Sequence, residues 1–275
     1  MAAPALIVLA TPIGNLSDLS PRAADALRAA DVIACEDTRR TRILAQHVGS
    51  GAELVALHRH NEAARARALI DRMERGEQVV LVSDAGAPTV SDPGALLIAR
   101  AHRSGVTVSP LPGPSAVTAA LMAAGLPAER FSFVGFFPRA GAERERLLHL
   151  HDALEATVVG FESPKRVAEL LSWLDARDPD REVVVCRELT KLHEQVVRGT
   201  PARVAGALDD AVRGEITVVL APAARQPAEV DLVPALGLLA DAGVGARTAA
   251  EVMAALGVAS RNAAYRAALE VFEGD

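Results

Sequence analysis

The sequence predicts an α/β fold in two lobes followed by a small helical appendage, and three observations carry that prediction. Short apolar runs rich in β-branched residues, such as Val79-Val80-Leu81-Val82 and Val183-Val184-Val185-Cys186, alternate with stretches of helical period. That is the pattern of buried strands covered by helices. The alternation is broken by three prolines in five residues at 110–114 and begins again beyond Gly125-Leu126-Pro127. Half of the residues are apolar but only 3% are aromatic, so the core must be built from Ala, Val and Leu. Such a core suits helices on parallel strands better than a β-sandwich. A chain of 275 residues is long enough for about two domains. We place the boundaries at 1–113, 114–225 and 226–275.

In chain order, residues 5–10 read as the first strand. They lead into the loop Thr11-Pro12-Ile13-Gly14-Asn15-Leu16 and a helix announced by Ser20 as N-cap and Pro21 in the first turn. The second strand, 31–35, ends in Glu36-Asp37-Thr38-Arg39-Arg40, a charged cluster at a strand tip or a solvated helix start capped by Asp37 or Thr38. Residues 53–57 form the third strand, followed by His58-Arg59-His60-Asn61-Glu62 and a helix over 62–75, with Asn61 as its cap. The fourth strand, 79–82, runs into Ser83-Asp84-Ala85-Gly86-Ala87-Pro88-Thr89-Val90-Ser91-Asp92-Pro93-Gly94, with a helix beginning at Pro93. Ligands of open α/β sheets sit at such carboxyl ends, where small residues allow close approach to the backbone. A βα turn that happens to be rich in small residues is the structural alternative.

After a strand at 106–108, the stiff turn Pro110-Leu111-Pro112-Gly113-Pro114 precedes Ser115, a cap for a helix reaching residue 124. The turn serves equally as a site wall and as a hinge between lobes. Strands at 131–135, 157–161, 183–186 and 216–220 build the second lobe, with helices after 138 and from 167. Residues 223–228 read as a linker, and three short helices follow, with Ser260 capping the third in a helix-turn-helix-like arrangement. Beyond residue 227 seven acids face three arginines, a poor balance for free DNA binding, so a docking or RNA-positioning appendage fits better.

The net charge of −6 argues against a non-specific nucleic-acid coat but not against a local basic patch. Neither G-x-G-x-x-G nor a P-loop is present, which disfavours nicotinamide dehydrogenases and P-loop enzymes. His58-Arg59-His60 has no further His or Cys at ligand spacing, so we expect no metal. Cys35 and Cys186 lie in apolar runs and read as buried thiols of a cytosolic protein. The first residues have no basic leader, and no apolar run approaches about 18 residues, so we expect a soluble, cytoplasmic protein with no membrane partner.

Seven segments, taken together, resemble the bacterial ribosomal small-subunit methyltransferase I family, within the tetrapyrrole-methylase fold class. They are 11–16, Glu36-Asp37-Thr38-Arg39, 58–62, 83–94, 110–116, 187–191 and Arg213-Gly214-Glu215, in the family's order and spacing over nearly the whole chain. Ala87 stands where the family commonly has Thr, Phe161 where Tyr is common and Arg213 where Lys is common. The resemblance implies two α/β lobes with S-adenosylmethionine in the cleft between them. It also implies a homodimer, and methylation of a cytidine ribose 2′-hydroxyl of 16S rRNA in the 30S subunit. By position it implies cofactor contacts at Thr11, Pro12, Ile13, Ser83, Asp84, Ala87, Val90, Ser115, Ala116, Phe161, Leu189 and Thr217.

A ribose hydroxyl is a weak nucleophile at neutral pH, so a base or a cation near the oxygen is expected. Asp84 and Glu188 are the candidate bases, with His60 behind them, and Lys191 is a candidate for easing ionisation of the oxygen. For RNA contacts we expect Arg39, Arg40, His60, Arg139, Arg144, Arg146, Lys165, Arg166 and Arg187. Exposed mixed charge is the structural alternative for that set. Two other readings compete: a methyltransferase of the same fold acting on a tetrapyrrole or other small molecule, and a non-catalytic RNA-binding assembly factor.

Overall fold

A computed structural model describes residues 5–209, 212–223 and 231–272. The first sheet contains β1 (Leu6–Leu9), β2 (Val32–Cys35), β3 (Glu53–Ala56), β4 (Val79–Val82) and β5 (Val108–Leu111), in the order β3-β2-β4-β1-β5 and parallel throughout. Alternate residues of its strands feed two cores. Ile7, Leu9, Ile33, Cys35, Val80 and Val82 pack with Ala23 and Leu27 of α1 (Pro21–Ala29) and Leu44 and Val48 of α2 (Thr38–Val48). Leu6, Val32, Ala34, Val79 and Leu81 pack with Leu69, Ile70 and Met73 of α3 (Glu62–Glu74) and Leu97 and Ala101 of α4 (Ala95–Arg103). Burial on both faces explains why β1, β2 and β4 are continuously apolar. Because β4 lies beside β1 and runs parallel to it, the loops after these two strands meet at the carboxyl end of the sheet.

The second sheet holds β6 (Phe131–Phe136), β7 (Thr157–Glu162), β8 (Val183–Arg187), β9 (Gln195–Gly199) and β10 (Ile216–Leu220), in the order β6-β7-β10-β8-β9. Only β6 and β7 run parallel; the other pairs are antiparallel, so the parallel strands that the composition favours are confined here to one pair. A run buried on both faces looks the same in either direction. What reverses the chain is the short link from β8 to β9, too brief for a parallel crossover. β9 itself was not expected: it alternates half-buried and exposed residues at the sheet edge and carries only two valines. On one face α5 (Ala116–Ala124) packs Val117, Ala120 and Ala124 against Val159, Val184, Cys186 and Val219. The other face is covered by Leu148 of α6 (Gly141–Ala153), by Leu170, Leu171 and Leu174 of α7 (Val167–Arg177), and by Val204 of α8 (Pro201–Ala207).

The caps divide. Ser20 accepts from the Ala23 N–H at 3.2 Å and Asp37 from the Arg39 N–H at 2.8 Å, as capping residues do. Asn61 and Ser115 occupy cap positions without making the bond, and Asn61 accepts instead from the His58 N–H. Helix α4 begins at Ala95 rather than Pro93, and β5 runs through Pro110 into the expected turn. Proline is tolerated there because β5 is an edge strand.

The chain divides into two compact units, Met1–Pro222 with both sheets and Ala223–Asp275. The second unit packs α9 (Leu232–Asp241), α10 (Ala246–Ala255) and α11 (Arg261–Phe272) around Leu236, Met253, Ala264 and Ala268. Apart from Ala223, the expected linker lies outside the described residues. The expected boundary at residue 113 falls between β5 and α5, inside the first unit, and we propose it as the hinge between the two sheets. A Cβ on Gly113 would lie 2.9 Å from the Ala10 carbonyl oxygen, so the backbone there has no room to yield cheaply. Gly113→Ala should therefore destabilise the first unit by about 1–3 kcal/mol, read from the midpoint of urea unfolding.

Candidate active site

The loops after β1 and β4 are tied together by the chain's own hydrogen bonds. The Thr11 N–H donates to the Gly86 carbonyl at 2.9 Å, and the Gly86 N–H returns to the Thr11 carbonyl at 3.1 Å. Beneath this bridge the Thr11 hydroxyl donates to the Ser83 carbonyl at 3.2 Å, and the Ser83 hydroxyl donates to the Gly86 carbonyl at 2.8 Å. Gly86 has φ of 80°, and a Cβ there would sit 3.3 Å from the Ile13 side chain. The loop continues through Thr89 and Ser91 at φ of 72° and 69°, a left-handed conformation uncommon outside glycine.

Above this floor lies a cleft of about 380 Å³ between the two sheets of the first unit. The first-sheet side supplies Ile13, Ala85, Gly86, Ala87, Val90, Ser91 and Asp92, and the start of α5 supplies Ser115 and Ala116. Opposite are Phe136, Phe161, Glu162, Ser163 and Pro164, with Gly214, Glu215, Ile216 and Thr217. Phe136 meets Phe161 edge to face, with centroids 5.7 Å apart. Glu162 is fully buried: one oxygen accepts from the Ser163 N–H and the Arg166 Nε, both at 2.7 Å. Its other oxygen, Oε2, has no partner among the described residues. A buried acceptor left so is costly, and a donor on a bound molecule would remove the cost.

Of the expected cofactor residues, Ile13, Ala87, Val90, Ser115, Ala116, Phe161 and Thr217 line the cleft. Thr11 and Ser83 lie behind it as braces. Pro12 is not among the lining residues, and Leu189 packs against the core under α5. Asp84 is also off the lining: one oxygen accepts from the Asp37 N–H at 3.0 Å and the other pairs with Arg40 at 3.3 Å. Sequence reasoning passed over Asp92, Phe136 and the Glu162-Ser163-Pro164 step as cleft residues. The signal available was a polar break directly after a buried strand, the same signal used for Ser83.

Asp92 stands among acids. Burial, then the charges of Glu36 and Asp84, push its carboxyl up to about 6, against the opposing Ser83 hydrogen bond and Arg59 charge. At the far rim, Lys191 Nζ donates to Glu188 at 2.8 Å and to Glu215 at 3.1 Å, and the Glu215 N–H donates to the same Glu188 oxygen at 2.8 Å. Burial raises the Glu188 pKa, but hydrogen bonds from Lys191 and Glu215 and the charges of Lys191 and Arg187 outweigh it and hold the carboxyl below its ordinary value. A carboxylate so held is a weak proton acceptor, which counts against Glu188 as the base. Lys191 is held by two carboxylates, its burial outweighed so that it stays charged. A Cβ on Gly14 would collide with the Lys191 side chain, so the first loop and this segment are packed together.

The expected RNA contacts separate by exposure. Arg39, Arg40, His60, Arg139, Arg146 and Lys165 are exposed, Arg39 pairing with Asp37 and Arg40 with Asp84. Arg144 is a correction. It is 2% exposed, donates to the Pro138 carbonyl at 2.7 Å, pairs with Glu169 at 3.0 Å and lies over the Trp173 ring, so no face remains for a phosphate. Arg166 is engaged by Glu162 and the Phe137 carbonyl, and Arg187 by the Arg213 carbonyl and Asp209. Among the described residues no cluster of three His, Cys, Asp or Glu could hold a metal ion, and no helix is long and apolar enough to cross a membrane.

Two α/β sheets with a cleft between strand-tip loops define a class, and comparison agrees with it. The Tetrapyrrole (Corrin/Porphyrin) Methylases profile matches residues 5–205, and the chain belongs to that family. Among its relatives are proteins named ribosomal RNA small subunit methyltransferase I. That of Mesorhizobium japonicum is 42% identical over 98% of this chain and 92% of its own. That of Mycobacterium tuberculosis is 45% identical over 93% and 90%, and that of Escherichia coli O157:H7 40% identical over 96% and 94%. Solved structures sharing the fold include a diphthine synthase, with TM-score 0.61 at 21% identity over 78% of this chain and 90% of that one. A cobalt precorrin-4 methyltransferase gives 0.57 at 20% over 78% and 94%.

The Glu188 pair sets a pH dependence. A carboxyl whose folded pKa lies below its unfolded value stabilises the fold above the unfolded value, and that stability is lost as pH falls through the folded one. Glu188→Gln should therefore be less stable than the parent at pH 7. The gap should close in acid below about pH 4, as followed by thermal unfolding across pH.

Proposed function

We propose that this chain transfers the methyl group of S-adenosylmethionine to the ribose 2′-hydroxyl of a cytidine in 16S rRNA, within the 30S subunit. The observation that carries the reading is the 40–45% identity, over at least nine-tenths of the chain, to proteins named for small-subunit ribosomal RNA methylation. The cleft is compatible with the cofactor. It has the volume of a small-molecule site and mostly apolar walls, no phosphate-binding loop precedes it, and Glu162 Oε2 offers an unused acceptor. When bound, the cofactor supplies a methyl group already activated on a sulfonium.

The chain's own residues do the rest. Ile13, Ala87, Val90 and Phe161 would enclose the adenosine and exclude water, and Glu162 would accept from one of its N–H or O–H groups. The backbone about Gly86, fixed by Thr11, would set the depth of entry. Alignment of the acceptor oxygen with the methyl should supply much of the acceleration, since the leaving group needs no further activation. Exposed Arg39, Arg40, Arg139, Arg146 and Lys165 are suited to hold phosphates around the target and position it. We propose a homodimer working in the cytoplasm, with the helical unit as an accessory for positioning on the subunit.

Incubation with methyl-labelled cofactor should place label on 16S rRNA in 30S particles and none on precorrin-type tetrapyrroles. Mass mapping should find it on a ribose. Label on a base or on the tetrapyrrole alone overturns the reading, and no transfer leaves the assembly-factor reading. Association with 30S particles should weaken steeply between about 50 and 200 mM salt, and Arg139→Glu with Lys165→Glu should flatten that dependence while cofactor affinity stays unchanged.

A further inference from the structure

We propose that Asp92 is the general base of this site, receiving the proton of the acceptor hydroxyl during methyl transfer. The inference rests on the methyltransferase reading above and adds the residue that moves the proton.

The geometry singles out Asp92 in three ways. It is the only carboxylate that the first-sheet side contributes to the described cleft lining, whereas Asp84 is turned to the Asp37 N–H and Arg40. It also has no helix to cap. An aspartate just ahead of a helix ordinarily binds the first free N–H groups, but here Glu62 takes them, accepting from Gly94 at 3.0 Å and Leu96 at 2.9 Å. Finally, the residue before it is held in a left-handed conformation, Ser91 at φ of 69°, with the Ser91 carbonyl taken by Arg59 at 3.0 Å. Strain retained where the surroundings over-determine it belongs to sites that must aim a side chain.

Its electrostatic surroundings match the task. Glu36 from the end of β2 and Asp84 from the end of β4 face Asp92 with like charge, while Arg59 after β3 and the Ser83 hydroxyl oppose them. Across the cleft Glu162 is paired with Arg166 and Glu215 with Lys191, and among the described residues Arg59 is the cation whose charge acts on Asp92. Burial and the two acids bring its titration to about 6, close to neutrality, where a base is both unprotonated and still basic. In the step itself the acceptor O–H bond breaks with its proton passing to Asp92, and the freed oxygen pair makes the new O–CH₃ bond. The S–CH₃ pair stays on sulfur, whose positive charge is lost as Asp92 loses its negative one.

Carboxyl carbon NMR of the full chain without cofactor, with the resonance assigned by its absence in Asp92→Asn, should show Asp92 titrating near pH 6. Glu36→Gln should move that titration down, and with it the acid limb of the rate profile. Asp92→Asn should lose about a hundredfold or more in methyl transfer at saturating cofactor, with saturation of the variant established by calorimetry. Its thermal stability should exceed the parent's increasingly from about pH 4 to above pH 6, because a raised carboxyl pKa costs stability as pH rises through it. Titration of Asp92 near 4, an unmoved acid limb in Glu36→Gln, or transfer by Asp92→Asn within tenfold of the parent overturns the assignment alone. A parent protein that transfers no methyl to 30S particles overturns the functional reading and the base with it.

Discussion

The two backbone hydrogen bonds between Thr11 and Gly86 are the constraint on which the cleft depends. They form an antiparallel bridge beyond the end of the parallel β1–β4 ladder and join the two loops that follow it. Buried hydroxyls of Thr11 and Ser83 close the gap underneath, donating to the Ser83 and Gly86 carbonyls. With the loops tied, the small residues Ala85, Gly86 and Ala87 line the cavity. The floor is therefore held by the chain's own hydrogen bonds.

Charge is distributed around that floor in two different ways. On the second-sheet side, acids and bases are matched: Glu188 and Glu215 with Lys191, Glu162 with Arg166, Arg187 with Asp209. These pairs hold the rim segments together. On the first-sheet side Glu36, Asp84 and Asp92 converge with less compensation, and Asp92 bears the consequence. Like charges brought together at a cleft are unfavourable for the fold, and their persistence is understandable if proton transfer is what the site does. Glu162 bridges both patterns, with one oxygen spent on structure and the other left facing an unmet demand.

Much of this was legible in the chain, and the failures have physical causes. Nine strands were visible as short apolar stretches, clearest in β2, β4, β8 and β10, where burial on both faces requires a nearly unbroken run. The tenth, β9, escaped because an edge strand covered on one side needs so few apolar residues that it resembles a loop. Arg144 was assigned to a basic surface with Arg139 and Arg146, but its helix turns that one position inward, over Trp173 and onto the Pro138 carbonyl. Asp84 and Asp92 bracket one loop and have the same chemistry. Which of them enters the cleft depends on left-handed turns at Thr89 and Ser91 and on a carboxylate, Glu62, brought from another helix.

By itself, then, the sequence determined the alternation of buried strands and helices, the loops in which chemistry gathers, and the lack of a phosphate cradle. Each of these is a local property, set by side-chain period and composition over a few residues. Tertiary structure alone decided strand direction in the second sheet, the tie between Thr11 and Gly86, and the roles divided among Asp84, Asp92 and Glu188. Those outcomes depend on which groups meet across long sequence separations, where burial and a neighbour's charge set whether a carboxylate is a brace, an ion-pair partner or a base.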